Sequence, residues 1–467
     1  MKLNRILFAA LIASVTGSSI TSCSESFLDE NLTTQYSTDR FKTQEGLDEL
    51  VTGAYQKLKF KFNYIWGIQC YNMGVDEFTD ANNVIPAWNH YSQDLNSSEN
   101  GANQPIWDNY YGLVEPANIL IQNIPQYYNQ SSPTYKTRLG EAHFLRAYAY
   151  FELVKQFGGV PLKLAPSTSA ETYFTRNSAE EIYTQVISDF GEAYRLLPNK
   201  GESIGRINKY AAAHFLAKAH LFRASELYSD WNSNYVASDL DAVIQYGSEV
   251  VDAHPLCSDY VELWDYEQPN GANEKVSEVI LAAQFSNDES TWGRFGNQMH
   301  LYYPAVYQGN DIGGCKRDIS GGREFSYVSA TEYTMQVFDR VNDSRFWKSF
   351  ITCYGANETK SAPIWTAEDM PYAPAGVKEG DKRFSGGELG MKYIVNDPGD
   401  NRYEKYPNAP AYTVLKDGKM CNTYTYVRYF KGQEHSWNVN EKTGNYYDII
   451  PLSLIHISEP TRLLSIS

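Results

Sequence analysis

Trp88, Asn89, His90 and Tyr91 follow the turn residue Pro86 and lead into a stretch rich in Asn and Ser. Trp292, Tyr302 and Tyr303 lie in a second loop-like region. An aromatic face stacks on the apolar C–H side of a sugar ring, while neighbouring amides and carboxylates satisfy the hydroxyls. Trp88, Asn89, Tyr91, Trp292, Tyr302 and Tyr303 are therefore the candidate ligand-binding residues, and such recognition needs no catalyst. The same rings also suit a plainer job, pinning loops onto a scaffold. The chain contains no HExxH, no Walker A loop and no GxGxxG, so no catalytic residue, metal or cofactor is assigned. Adjacent carboxylates such as Asp76 and Glu77, or Glu368 and Asp369, suit glycoside hydrolysis only at separations that a sequence does not give. The oxygen-rich stretches 76–80 and 396–400 lack EF-hand spacing and read as solvated turns.

The 467 residues carry 40 basic and 56 acidic side chains, a formal net charge of −16. That balance argues against nucleic acid as a partner, because phosphate binding needs concentrated Lys and Arg. Hydrophobic residues at 42% and charged residues at 21% describe a folded globular chain with room for a large core. Aromatic residues reach 14%; rings in that number suit a core or platforms for a flat ligand, and composition does not say which. Six Cys, widely spaced and without a CxxC pair, do not make a disulfide framework.

The elements that must position the rings fall into two regions. From about residue 43 to 252 the pattern is helical. Helices are expected over 44–59, over 107–124 with Pro125 as its stop, and over 136–157. The last carries stripes on two sides, Ala142, Leu145, Ala149 and Leu153 against Phe144, Tyr148 and Phe151, and ends at Gly158 and Gly159. Ser178 and Glu181 form a capping box ahead of a helix that ends at Pro198. The segment Ala142–Phe151 is echoed by Ala213–Phe222, 71 residues on, about twice the 34-residue tetratricopeptide period. Each echo has a partner helix, the capped one and 240–251. His143 and His214 lie inside the echo and read as packing residues. From about 255 to 451, Gly and Pro are frequent and helical periodicity fades, leaving a strand-like 423–430 and a short helix over 331–339. Long loops of this kind are usually functional.

The two ends read differently. Lys2 and Arg5 precede an apolar run at 6–15, too short to span a bilayer, and Ile20-Thr21-Ser22-Cys23 resembles a bacterial lipobox. In that reading residues 1–22 are a lipoprotein signal peptide and Cys23 is lipidated; an ordinary signal peptide is the alternative. Each acyl CH₂ buried in a membrane adds about 0.8 kcal/mol of anchoring. Leu452–Arg462 back-translates into a string resembling a transposase-type sequencing adapter. Residues 452–467 are therefore set aside as a sequencing-adapter artefact, with the natural protein expected to continue beyond Pro451.

Several motifs together carry a resemblance. The lipobox followed by Ser26–Glu30, Trp107 with Tyr110 and Tyr111, Ala117-Asn118, Glu141–Ala147 running into Phe157–Pro161, Gly205–Ala211, Gly296–Tyr302, and Asp343–Phe346 with Phe350 resemble the SusD/RagB family of outer-membrane nutrient-binding lipoproteins. The resemblance implies a mostly α fold: a tetratricopeptide-like helical-repeat scaffold over 23–254 and an irregular, aromatic-rich, loop-rich ligand-binding layer over 255–451. It also implies a non-enzymatic role at the exterior face of the outer membrane. There the lipid-anchored protein would capture oligosaccharides and pass them to a SusC-like TonB-dependent transporter. A peptide-capturing member of the same family and a glycoside hydrolase are the alternatives.

Overall fold

The structure is a computed structural model. It describes residues 38–62, 64–80, 86–96, 102–263, 275–284, 302, 314, 327–350, 353–367, 370–383, 389–394, 411–413, 415–416, 419–420, 436–439, 446–449 and 454–456. Residues 1–22, Cys23, Trp292, Tyr303 and the strand-like 423–430 lie outside the described residues.

Helix α1 spans Gln44–Tyr55, where the Thr43 side chain accepts from Gly46 N. A 3₁₀ segment, Gln56–Phe62, continues it, so the expected helix over 44–59 is real but tightens in its last turns. Helix α2 spans Tyr64–Asn72, strand β1 spans Phe78–Asp80 and the short α3 spans Pro86–His90. Four longer helices and a partner follow: α4, Gln104–Tyr127; α5, Tyr135–Phe157; α6, Ala179–Leu196; α7, Lys209–Arg223; and α8, Val236–Ala253.

Pro125 does not stop α4. The helix runs through Pro116 and Pro125, and Tyr128 N still donates to Ile124 O. Leu120, Ile124 and Tyr128 are buried against Leu47, Val51 and Ala142, and this packing outweighs the loss of one helical N–H. The Ser178–Glu181 capping box forms with both of its halves. α5 stops where the glycines put it, with Gly158 at φ +66°.

Each of α4 to α8 packs against the next in the chain, an up-and-down array of helix pairs. α5 is central and buried nearly all round, from Thr137 to Val154, which explains its two apolar stripes. Phe144 meets Phe190 at 5.3 Å and Phe215 at 5.4 Å between ring centroids. Residues 144 and 215, matched by the 71-residue echo, thus touch in the core.

A second echo, 77 residues apart, sets the polar frame: Ala142-His143-Phe144-Leu145-Arg146-Ala147 and Ala219-His220-Leu221-Phe222-Arg223-Ala224. In the first, Arg146 Nε and Nη2 both donate to Asp189 of α6 at 2.8 Å, and His143 Nδ1 lies 2.7 Å from Asp189 Oδ1. In the second, Arg223 Nε and Nη2 donate to Asp239 of α8 at 2.8 and 2.7 Å, and His220 Nδ1 lies 2.6 Å from Asp239 Oδ1. The atoms match one for one. An ionised carboxylate only accepts, so both imidazoles donate from Nδ1. Burial would raise the Asp189 carboxyl, but its bonds to His143 and Arg146 hold it below the usual range. His143 is thus a clamp residue, while His214 is buried and packs edge-on against Phe215.

Outside the array, β1 pairs antiparallel with β3, Val328–Ala330, matching Phe78 to Ala330 and Asp80 to Val328. The helix expected over 331–339 appears as Glu332–Val337, capped by Thr331. β2, Ala282–Gln284, pairs antiparallel with Leu454–His456 of the segment set aside above. Among the described residues no helix is long and apolar enough to cross a membrane.

Candidate functional site

The turn that carries Trp88, Asn89 and Tyr91 is held from several sides. Asn89 Oδ1 accepts from Asp80 N at 3.0 Å, and its Nδ2 donates to Thr79 Oγ1 at 3.3 Å, so β1 grips α3 through one amide. Trp88 is half-buried, packs on the main core and donates from Nε1 to Ala102 O at 3.4 Å. Ser92 N closes the turn onto Ala87 O at 3.1 Å. Tyr91 sits at φ +50° and donates from its hydroxyl to Gly74 O. Gly74, at φ +70°, must be glycine there, because a Cβ would stand 2.7 Å from Trp88 O and 2.9 Å from the Tyr91 hydroxyl oxygen.

This anchoring divides the work among the three residues. Trp88 and Asn89 face inward as supports. Tyr91 is 71% exposed, and its neighbours His90, Gln93, Asp94 and Asn96 are also exposed. A ring fixed at its hydroxyl end and bare on its face, among amides and a carboxylate, can stack on a sugar without ordering a loop first.

The Tyr302 ring is 1% exposed and stacks on Tyr327 at 5.4 Å and 25°. Tyr327 N donates to Tyr302 O at 2.9 Å. Tyr327 leads into β3, whose Val328 pairs with the Asp80 that Asn89 holds. One ribbon therefore links the Tyr302 stack to the Trp88–Tyr91 turn. Trp292 and Tyr303 fall outside the described residues and are not placed.

A reading of the chain as free of GxSxG is corrected by Gly201-Glu202-Ser203-Ile204-Gly205, which spells that motif. That motif gives a nucleophile only on a strand–turn–helix. Here it lies between α6 and α7, in a turn closed by Arg206 N donating to Ser203 O at 3.1 Å, so the motif is incidental. The turn separates two cavities of about 380 and 260 Å³ that share Ser203, Ile204, Gly205, Arg206 and Ala282 in their walls. Behind it the buried Glu141 accepts from Tyr55 Oη at 2.7 Å and from Arg138 Nη1 at 3.1 Å, with Arg206 Nε at 3.4 Å. Burial raises its carboxyl, against the pull of Arg206 and Arg138. Among the described residues, no group of three or more His, Cys, Asp or Glu side chains is placed to hold a metal ion.

A second buried carboxylate makes the scaffold pH-sensitive. Glu152 Oε1 pairs with Lys61 Nζ at 3.0 Å and Lys155 Nζ at 3.1 Å. Burial works to raise the Glu152 carboxyl, but the two ammonium groups hold it down to about 2, against an ordinary 4.5. Burial lowers Lys155 from 10.5 to about 8. Glu152 therefore contributes stability in full above pH 4.5, and loses it as pH falls towards 2. Lys155 releases its proton in the folded state first, so stability rises between pH 8 and 10.5. Urea midpoints of wild type and Glu152→Gln should converge as pH falls from 4.5 towards 2. A constant gap across that range would contradict the assignment.

The helical array and its ribbon define the class: a SusD-like helical-repeat fold. Two solved structures of under 25% identity match it. A laminarin-binding SusD-like protein aligns with TM-score 0.52 and 19% identity, covering 83% of this chain and 76% of its own. A structure determined with a xylogluco-oligosaccharide aligns with TM-score 0.51 and 21% identity, covering 66% of this chain and 58% of its own. More particularly, residues 26–221 match the SusD-like family described as starch-binding and associating with the outer membrane. SusD-like protein P38 of Formosa agariphila is 29% identical over 210 residues, 44% of this chain and 40% of that protein. The chain spans between 40% and 59% of the length of the relatives it matches.

Proposed function

We propose that the protein captures oligosaccharides at the exterior face of the outer membrane, without catalysis, and delivers them to a SusC-like TonB-dependent transporter. The observation that carries this reading is the Tyr91 turn, an exposed ring fixed by Gly74 and Asn89 on a SusD-like fold. The match of residues 26–221 to a starch-binding, membrane-associating family supports it. In this reading acylated Cys23 holds the chain to outer-membrane lipid. The helical scaffold of residues 23–254 positions the turn, and residues 255–451 add Trp292, Tyr302 and Tyr303 to the ligand layer. Tyr302 would act from below, by fixing the ribbon that holds Asn89.

Affinity electrophoresis through gels containing starch, laminarin or xyloglucan tests the reading. At least one polysaccharide should retard the wild type, and Tyr91→Ala should weaken that retardation about tenfold in affinity, or 1.4 kcal/mol. The exposed Tyr91 makes this variant a cleaner probe than Trp88→Ala, which removes core packing as well. Unchanged retardation in Tyr91→Ala would remove the turn from the site.

A further inference from the structure

The segment between α5 and α6 is a closed loop pinned to the outside of the helical array. Asn177 N donates to Val160 O at 3.0 Å, and Leu162 N donates to Asn177 Oδ1 at 3.0 Å, so the ends meet. Gly159 is glycine because a Cβ there would stand 2.1 Å from Asn177 O. The residues between form an Ω-loop, a class that is frequently functional. Its ascending arm is stapled to α4 and α5. Tyr111 Oη donates to Pro161 O at 2.7 Å, and Asn118 Nδ2 to Lys163 O and Ala165 O at 3.0 and 3.3 Å. Ser167 N donates to Glu115 Oε1 at 2.8 Å. Arg146, besides clamping Asp189, donates to Leu164 O at 3.3 Å.

On this rigid base the loop displays apolar side chains. Tyr173 is 84% exposed, Phe174 48% and Leu164 43%. Lys163 Nζ braces the tip, 2.9 Å from Glu171 Oε2 and 5.7 Å from the Phe174 ring centroid. Thr172 and Thr175, on either side of the two rings, are exposed. Folding gains little from an aromatic ring held in water, and the Lys163–Glu171 pair beside the rings reduces the loop ordering that binding would require.

We propose that Tyr173 is a second sugar-stacking platform, binding neutral glycan chains outside the Trp88–Tyr91 turn. The inference rests on the glycan-capture reading. An apolar patch of three side chains is small beside the roughly 800 Å² that a stable protein interface buries on each partner. Lys163 is engaged by Glu171, which disfavours an anionic polymer as the occupant. Ring faces flanked by hydroxyls and one carboxylate fit the alternating C–H and O–H surface of a neutral sugar.

The test uses the full chain with Tyr173→Ala and Tyr173→Trp, on starch, laminarin and xyloglucan gels, with urea midpoints as the folding control. With wild-type retardation present, Tyr173→Ala should weaken polysaccharide affinity about tenfold, while Tyr173→Trp retains or strengthens it at an unchanged midpoint. If wild type and Tyr91→Ala differ but wild type and Tyr173→Ala do not, the second platform is wrong and the capture reading stands. If none of the three polysaccharides retards the wild type, both readings fail.

Discussion

Asp189→Ala should cost about 3–5 kcal/mol, the usual penalty for removing one partner of a buried ion pair. Asp189 is 2% exposed and accepts four bonds, two from Arg146 and one each from His143 and Gln185. Its loss leaves the Arg146 guanidinium, itself 6% exposed, with Asn118 Oδ1 and Leu164 O as its acceptors among the described residues. The charge then sits uncompensated between α5 and α6. Because Arg146 also holds the Ω-loop carbonyl, the same variant should increase proteolysis within residues 164–176. Urea denaturation of the purified chain measures the first effect and limited proteolysis the second. A loss under about 1 kcal/mol, the scale of an exposed pair, would mean the clamp is not desolvated as described.

Phe144→Ala should be comparably damaging, at about 3–5 kcal/mol. Phe144 has no exposed surface and its ring touches three others: Tyr148 at 6.3 Å, Phe190 at 5.3 Å and Phe215 at 5.4 Å. These rings belong to α5, α6 and α7, so the cavity would open where three helices converge and cannot collapse onto any one of them. Phe144→Leu, which keeps most of the volume, should cost clearly less. Equal losses for the two substitutions would show that the site relaxes, contrary to the packing described. Thermal or urea unfolding separates these outcomes.

Much of the scaffold was legible because its signals are local. The capping box needs only Ser178 and Glu181, and the end of α5 needs only Gly158 and Gly159. Pro125 misled because the force that carries α4 past it, burial of Ile124 and Tyr128 against α1, comes from residues about 80 positions away. The clamp is written twice in the sequence, but the echo at 77 residues keeps only Ala, His, Arg and Ala in register, whereas the one at 71 matches Phe and Leu. Its acceptors were harder still, since Asp189 and Asp239 follow their His partners by 46 and 19 residues.

The candidate site was legible only as chemistry. Trp88 and Tyr91 are three residues apart and equally suited to stacking, but one packs on the core while the other faces water. Nothing local distinguishes them; Gly74 and Ala102 do. Tyr173 and Phe174 stand among Ser, Thr and Ala residues with no periodicity around them. The available signal was two adjacent rings in a short polar connection between helices, where an apolar pair has no helical face to join.

Isothermal titration of the purified chain with laminarin- and xyloglucan-derived oligosaccharides, with reducing ends assayed in the same cell, tests non-catalytic capture most directly. Saturable heat with at least one oligosaccharide, no increase in reducing ends, and loss of that heat in Tyr91→Ala are the predicted result. Reducing ends that accumulate with time, or no heat from any glycan tried, would contradict it.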